Sequence, residues 1–155
     1  MDFKKEAVVF LATGCFVGKI PFAPGTLGSI AGLPFCFFLS KMNLWPAILF
    51  IAAFFAFAVW VSNRAEEILK SKDPGSIVID EICGMMVTFA GLPFNAYIAV
   101  SGLIAFRVLD IVKPFPIRYL EKKLSGGTGI VLDDVAAGVI SNLIMRAVLS
   151  VTGAG

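Results

Sequence analysis

The feature that most constrains this chain is an uninterrupted apolar stretch from Leu44 to Val61, which contains no charged residue. Its length approaches the ~20 residues that an α-helix needs to cross the hydrocarbon core of a bilayer. A second, mostly apolar stretch, Val135 to Val151, contains a single charged residue, Arg146. A soluble domain of only 155 residues buries too small a fraction of its surface to hide so many apolar side chains. The chain is therefore predicted to lie in a lipid bilayer.

The overall composition supports this prediction and excludes several classes of function. Hydrophobic residues make up 58% of the chain and charged residues only 15%, whereas a typical soluble domain has roughly 25% charged residues. The net charge of +2 is too small and too dispersed for a nucleic-acid-binding surface. Histidine is absent, which excludes a Ser-His-Asp triad, a phosphohistidine intermediate and a zinc site with histidine ligands. Three scattered cysteines without C-x-x-C spacing are predicted to fill the core: Cys15, Cys36 and Cys83.

The distribution of Lys and Arg predicts how the chain crosses the membrane. These residues concentrate at the N-terminus, in residues 64–72 and in residues 107–123, all of which the positive-inside rule places in the cytoplasm. Residues 82–106 must then turn back, and Gly91 to Asn95 is the natural place for the turn. Arms of ~10–12 residues are too short to span a bilayer at ~1.5 Å rise per residue, so a re-entrant hairpin buried against protein is expected. A single crossing with one basic loop outside remains the alternative.

These observations predict the fold class. All long segments have helical length and none shows a convincing alternation of apolar and polar residues. We expect an all-α fold, a small polytopic helical bundle in the membrane with a broken or re-entrant helical hairpin. Residues 1–155 are expected to form one domain, and the oligomeric state is left open.

Two segments with adjacent acidic residues are the strongest candidates for chemistry. GSIVIDEICG at 75–84 and GIVLDDVAAG at 129–138 each contain a glycine, a short apolar run, two acids and an apolar helix with an early glycine. Asp80 and Asp133 are predicted N-caps. The second acid of each pair, Glu81 or Asp134, is costly beside a membrane helix unless it is paired or binds a cation. Oxygen ligands without His or Cys favour Mg²⁺ over zinc.

Two further segments could bind a phosphate group. Asp110 and Lys113 are spaced to share one face at the end of a helix that Pro114 stops, which permits either a local ion pair or a metal ligand beside a phosphate-binding lysine. The segment KIPFAPGTLGS at 19–29 places glycines and hydroxyls at the start of a helix, where backbone N–H groups commonly bind anions. An ordinary capped turn is the alternative for this segment.

Taken together, these motifs resemble the bacterial phosphatidylglycerophosphatase A family. The resemblance runs over nearly the whole chain, with the motifs in the family's order: PFAPGTLGS at 21–29, IVIDEICG at 77–84, FRVLDIVKPFPI at 106–117 and GIVLDDVAAG at 129–138. It implies a Mg²⁺-dependent lipid phosphatase in the bacterial inner membrane, multi-pass, with its active site on the cytoplasmic side. Such an enzyme removes the terminal phosphate from phosphatidylglycerophosphate to give phosphatidylglycerol, so its partners are a phospholipid substrate and the bilayer.

The residues also exclude other phosphatase mechanisms. No cysteine is followed by the Arg of a Cys-x5-Arg signature, and the D-x-D pattern of aspartyl-phosphate enzymes is absent. Metal-assisted hydrolysis by water is therefore expected, with Glu81 as the first choice of base. A phosphatase for another phosphomonoester, a small cation transporter and a structural membrane protein remain alternatives. The expected site comprises catalytic Glu81 and Asp134, the metal ligands Asp80, Glu81, Asp110, Asp133 and Asp134, and the phosphate-binding residues Lys113, Gly25, Thr26 and Ser29.

Overall fold

The structure, a computed structural model, describes residues 3–152, and within that range it is helical with no β-strand. This confirms the all-α prediction. A short 3-10 helix at Val17–Lys19 joins the first two α-helices. The seven α-helices are α1 (Phe3–Ala12), α2 (Pro24–Leu39), α3 (Leu44–Leu69), α4 (Ile79–Thr88), α5 (Ala96–Val112), α6 (Ile117–Lys123) and α7 (Gly126–Thr152).

Helices α3 and α7 are long and apolar enough to cross a membrane. At 26 and 27 residues each extends about 40 Å at ~1.5 Å per residue, more than the ~30 Å hydrocarbon core of a bilayer. In the most apolar 18-residue window of each helix, only 17% of the α3 residues and 28% of the α7 residues are buried within the protein. The large side chains Trp45, Leu49 and Leu143 are among those that stay exposed. The outer surface of these helices is therefore apolar, as lipid contact requires.

Helices α4 and α5 form the expected broken hairpin. Helix α4 has only 10 residues, about 15 Å by the helical rise, and a turn that includes Gly91 at φ +67° follows it. The side chain of Asn95 then caps α5 by accepting a hydrogen bond from the Ile98 N–H (3.0 Å). Glu81, near the start of α4, lies 3.9 Å from Arg107, near the end of α5, so the two helices run antiparallel. The second arm has 17 residues, longer than expected, because residues 107–112 continue the helix.

Two side chains of α7 satisfy the carbonyl groups at the end of α4. Asn142 donates from Nδ2 to the Thr88 and Ala90 carbonyls (2.8 and 3.0 Å), and Arg146 donates from Nη2 to the Ala90 carbonyl (2.8 Å). The final carbonyls of a helix have no partner within the helix and are costly to leave bare in an apolar bundle. Arg146 thus has a local structural partner at the end of α4 opposite the acidic pair.

Helix α4 lies at the centre of the bundle, packed against α2, α3 and α7. Its contact with α7 is unusually close because both helices carry a glycine there. A Cβ atom added to Gly138 would lie 2.5 Å from the Gly84 carbonyl oxygen, so no larger residue fits without a shift. Gly84 follows Glu81 by three residues and Gly138 follows Asp134 by four, so this contact brings the two acidic segments together.

The charged segments gather at one end of the bundle. Glu66 and Lys72, which surround the end of α3, line the same cavity as Glu121 and Asp133. At the N-terminus, Lys4 and Lys5 share a groove with Arg64. This arrangement agrees with a hairpin that turns back, and it disagrees with the alternative of a single crossing between residues 82 and 106.

The cysteine prediction is correct for two residues and wrong for one. Cys36 and Cys83 are buried, whereas Cys15 is exposed. Cys15 lies in the turn after α1, where its backbone has a positive φ of 58°, and a residue in such a surface turn cannot fill a core.

Candidate active site

Three carboxylates from distant parts of the chain meet where α4 and α7 pack together. Asp80 and Glu81 lie in the first turn of α4, and Asp134 lies in α7. One carboxylate oxygen from each lies within 4.8 Å of the other two. Asp80 is 8% exposed and Asp134 is 3% exposed. We call Asp80, Glu81 and Asp134 the acidic trio.

The predicted N-cap roles of Asp80 and Asp133 are wrong. Val78 occupies the N-cap position of α4, so Asp80 lies inside the first turn. Helix α7 begins at Gly126, nine residues before the apolar stretch that starts at Val135, and Asp133 lies about two turns inside it. The early start is supported from α3, where the Asn63 side-chain oxygen accepts a hydrogen bond from the Gly127 N–H (2.7 Å). Because Asn63 accepts the hydrogen bond of this first-turn amide, Asp133 and Asp134 are not needed as caps of α7.

The acidic trio has the chemistry of a cation site. Asp80 Oδ1, Glu81 Oε2 and Asp134 Oδ2 are buried and have no hydrogen-bond partner among the described residues. Burying carboxylates close together without partners is strongly unfavourable unless a positive charge compensates them. Because the donors are all oxygen, a hard cation such as Mg²⁺ fits this set better than zinc does.

Asp110 lies beside the acidic trio and is paired with Arg107. Arg107 donates from Nη1 to Asp110 Oδ2, and Asp110 is also a charged neighbour of Glu81 and Asp134. Sequence reasoning treated Arg107 only as one basic residue of a charged segment. The signal that could have singled it out is its spacing of three from Asp110, which puts both side chains on one face of a helix.

Lys113 and Asp133 form a separate ion pair next to the acidic trio. Lys113 Nζ donates to Asp133 Oδ2 (2.7 Å) and to Glu121 Oε1 (2.9 Å). Burial lowers the Lys113 pKa, but the bonds to Asp133 and Glu121 outweigh it and hold that pKa above its ordinary value. Asp133 therefore lies outside the acidic trio, and it also borders a polar cavity of about 330 Å³.

The expectation that Asp110 and Lys113 share a helix face is wrong. Lys113 ends α5 in the left-handed conformation, with φ at 47°. Its side chain therefore leaves the direction that helical spacing predicts, and it reaches Asp133 in α7 instead of Asp110. Pro114 comes directly after Lys113, so the prediction that a proline ends this helix is confirmed.

The first turn of α2 contacts the same site through Gly25. A Cβ atom at Gly25 would lie 2.5 Å from Glu81 Oε1 and 3.0 Å from both terminal nitrogens of Arg107. Thr26 lies in the same turn and is partly exposed. Ser29 is fully buried, and its hydroxyl donates to the Gly25 carbonyl (2.9 Å). The structure thus brings Gly25 to the site, with Thr26 next to it in the same turn, while the Ser29 hydroxyl bonds to its own helix.

Comparison with known proteins identifies the family. The phosphatidylglycerophosphatase A family matches residues 10–149. The chain belongs to this family. It is 38% identical over 132 residues to the phosphatidylglycerophosphatase A of Escherichia coli, covering 84% of this chain and 77% of that relative. It is 36% identical over 140 residues to the phosphatidylglycerophosphatase A of Haemophilus influenzae, covering 89% and 86% of the two chains.

A third relative has a different name. A Bacteroides thetaiotaomicron protein, provisionally named a phosphatidylinositol-3-phosphatase, is 33% identical over 153 residues, covering 94% of this chain and 95% of its own. No solved structure matches the chain. Membership of the phosphatidylglycerophosphatase A family confirms the predicted resemblance and the prediction of a phosphatase.

For a phosphatase of the phosphatidylglycerophosphatase A family, the site combines two opposite kinds of binding surface. The acidic trio offers buried oxygens to a cation. A few ångströms from Glu81, Arg107 and the first turn of α2 offer N–H donors to an anion. A phosphate ester bound between them would contact a cation on one side and N–H donors on the other.

Proposed function

We propose that this protein is a Mg²⁺-dependent phosphatidylglycerophosphatase, which releases inorganic phosphate from phosphatidylglycerophosphate and leaves phosphatidylglycerol in the bilayer. The single observation that carries the proposal is the acidic trio, whose two buried aspartates and partly buried glutamate each place a carboxylate oxygen within 4.8 Å of the other two. Family membership supports the choice of substrate, because the Escherichia coli and Haemophilus influenzae relatives are named for it.

In this proposal Asp80, Glu81 and Asp134 hold the ion. When bound, Mg²⁺ offsets the charge of the phosphate oxygens and helps to position the attacking water. Asp110 and Asp133, which we also predicted as ligands, lie at the edge of this group and are paired with Arg107 and Lys113. We assign them the task of orienting those cations, since each keeps its partner's side chain in place through an ion pair.

The reaction needs one base and one proton donor. A water oxygen forms a bond to phosphorus while the bond from phosphorus to the glycerol oxygen breaks, and the glycerol oxygen leaves as a hydroxyl with a proton taken from solvent water at the headgroup layer. Glu81 is the proposed base, because one of its two carboxylate oxygens can hold the ion while the other accepts the proton of water. The first-turn amides at Gly25 and Thr26 stabilise charge on the phosphate oxygens.

The placement of the site suits a lipid substrate. The acidic trio lies toward the end of the bundle where the basic segments gather, and the apolar surfaces of α3 and α7 extend away from that end. The phosphate can enter from the headgroup layer while the acyl chains stay in lipid. We propose that the protein is a multi-pass protein of the bacterial cytoplasmic membrane with this end in the cytoplasm, following the positive-inside rule.

Substrate choice is tested with purified protein in mixed vesicles. Phosphatidylglycerophosphate, phosphatidic acid and phosphatidylinositol-3-phosphate are offered at equal mole fraction, with Mg²⁺ or with EDTA, and inorganic phosphate is measured. We expect phosphatidylglycerophosphate to be hydrolysed fastest, full loss of activity in EDTA and recovery on adding Mg²⁺. Faster release from phosphatidylinositol-3-phosphate would transfer the assignment to the substrate named for the Bacteroides thetaiotaomicron relative. Full activity in EDTA would contradict the proposed dependence of the reaction on Mg²⁺.

Orientation is tested by cysteine labelling in spheroplasts, on a background with Cys15→Ser because Cys15 is exposed. Lys72→Cys and Lys122→Cys should react with a membrane-impermeant maleimide only after the membrane is opened. Lys41→Cys, in the turn between α2 and α3 at the other end of the bundle, should react without opening. Labelling of positions 72 and 122 from opposite sides would refute the proposed topology.

A further inference from the structure

Arg107 is a largely buried cation whose hydrogen-bonding capacity is mostly unused. Its side chain is 17% exposed and lies between Asp110, which accepts a hydrogen bond from it, and Glu81, 3.9 Å away. A guanidinium group has five N–H donors, and the bond to Asp110 is the one that Arg107 makes within the described residues. Its Nε is buried without a partner. Unused donors on a buried cation are costly unless a ligand takes them up.

The first turn of α2 adds donors at the same place. Both terminal nitrogens of Arg107 lie 3.0 Å from the position that a Cβ of Gly25 would occupy, so the guanidinium takes the space that any other residue would fill with its side chain. Leu27 makes the first backbone hydrogen bond of this helix, to Ala23, so the amides of Gly25 and Thr26 precede the hydrogen-bonded ladder. A guanidinium and free helix-start amides side by side suit a tetrahedral oxyanion.

Lys113, the cation that the sequence suggested for this task, is already engaged. Its Nζ donates to Asp133 at 2.7 Å and to Glu121 at 2.9 Å, which uses two of the three N–H donors of an ammonium group. Arg107 has one such bond and lies beside Glu81 of the acidic trio. The two cations therefore differ in how many donors remain for a substrate.

We propose that Arg107, rather than Lys113, is the catalytic residue that binds the phosphoryl oxygens of the substrate, together with the first-turn amides at Gly25 and Thr26. This inference rests on the proposed function and extends it. Arg107 can offer two N–H groups to two phosphate oxygens at once, a geometry that an ammonium group cannot match. Asp110 holds the guanidinium in position through the remaining bond.

The inference is tested by measuring how inorganic phosphate binds, because that readout needs no turnover. Binding to the purified protein with Mg²⁺ is followed by calorimetry and, where the protein is active, by competitive inhibition. We expect Arg107→Ala to weaken phosphate binding about 10- to 100-fold, the loss expected for charge-assisted hydrogen bonds, and to lower kcat/KM about 100-fold or more. Arg107→Lys should recover part of the binding, and added guanidinium ion should recover part of the activity of Arg107→Ala.

Two comparison variants keep the test specific. Lys113→Ala should weaken phosphate binding less than about threefold, because the Lys113 charge is already paired with Asp133 and Glu121. Arg64→Ala removes an exposed arginine that pairs with Glu67 and should leave binding unchanged. The melting temperature in detergent shows whether each variant folds. If Arg107→Ala does not fold, the comparison is made with Arg107→Lys.

The outcomes separate this inference from the proposed function. Unchanged phosphate binding in folded Arg107 variants, a larger loss in Lys113→Ala, or no phosphate binding by the unmodified protein would each overturn the inference. If phosphate binds through Arg107 but phosphatidylglycerophosphate is not hydrolysed, the proposed function fails while the phosphate site remains.

Discussion

The two acidic pairs of this protein look alike in sequence and differ in structure. In α4, Asp80 and Glu81 both lie in the first turn and both belong to the acidic trio. In α7 the two acids have different surroundings. Asp134 belongs to the acidic trio, whereas Asp133 accepts a hydrogen bond from Lys113 and lines a polar cavity. Consecutive residues of an α-helix point about 100° apart, as the 3.6-residue turn requires. Adjacent acids therefore need not share one ion.

The largest expected effect separates Asp134 from Asp133. Asp134→Asn should lower phosphate release about 1,000-fold, since a ligand lost from a catalytic cation costs several kcal/mol of transition-state stabilisation. Asp133→Asn should lower it less than about tenfold, because Asp133 lies outside the acidic trio and pairs with Lys113, which does not bind the substrate in this account. Both rates are measured on phosphatidylglycerophosphate at saturating Mg²⁺. Equal losses from the two variants would mean that the α7 pair acts as a unit after all.

A matched control accompanies that comparison. Glu67→Gln changes an exposed carboxylate on α3 and should keep full activity. Asp134→Asn should also be at least as stable as the unmodified protein in EDTA, because the amide removes one of three neighbouring acids from a buried site. A variant that is inactive because it unfolds would show a lower melting temperature instead.

An intermediate effect is expected where the α4 pair meets α2. Gly25→Ala places a methyl group 2.5 Å from Glu81 Oε1, which must displace the carboxylate, and a misplacement of about 1 Å at a reacting group can cost about 100-fold in rate. The backbone cost is small, because alanine is at least as good as glycine within a helix. The assay is kcat/KM with the melting temperature measured alongside.

Gly75→Ala is the control for Gly25→Ala. Gly75 precedes the same acidic pair, but a Cβ there meets no atom within 4 Å, so activity should be retained. If both variants lose activity equally, the close contact of α2 with Glu81 is not what matters at Gly25.

The smallest expected effect concerns the start of α7, which decides where the second pair lies in its helix. Asn63→Ala removes the acceptor of the Gly127 N–H and should lower the free energy of unfolding by about 1 kcal/mol, the usual cost of a lost cap. Asn43→Ala changes the N-cap residue of α3, whose side chain makes no capping bond, and should cost less. Chemical denaturation in detergent micelles measures both values. If both variants lose the same free energy of unfolding, the Asn63 cap does not explain why α7 starts at Gly126.

The sequence carried enough information to predict the architecture and the approach of the two acidic segments to each other. The uncharged run of α3, the turn at Gly91 and the stop at Pro114 are local signals, and each is where it was expected. The start of α7 could not be predicted locally, because its capping group comes from Asn63, 64 residues earlier. For the same reason the partners of Lys113 were missed, since they depend on how α5 and α7 pack and on a left-handed residue at the helix end.

Arg107 shows a second limit of sequence reasoning. Its spacing from Asp110 was visible, but its value as a substrate ligand depends on its unused donors and on the space left by Gly25. Both are properties of the packed helices. The spacing of Asp110 and Lys113 therefore favoured Lys113, whose ammonium group is paired with Asp133 and Glu121 in the structure.

The central claim is that Asp80, Glu81 and Asp134 hold one divalent cation together. It is tested most directly by measuring Mn²⁺ binding to the purified protein by electron paramagnetic resonance, with Mn²⁺ standing in for Mg²⁺. We predict saturable binding to the unmodified protein, competition by Mg²⁺, loss of binding in each of Asp80→Asn, Glu81→Gln and Asp134→Asn, and retention in Glu67→Gln. Binding that persists unchanged in all three folded variants would contradict the account.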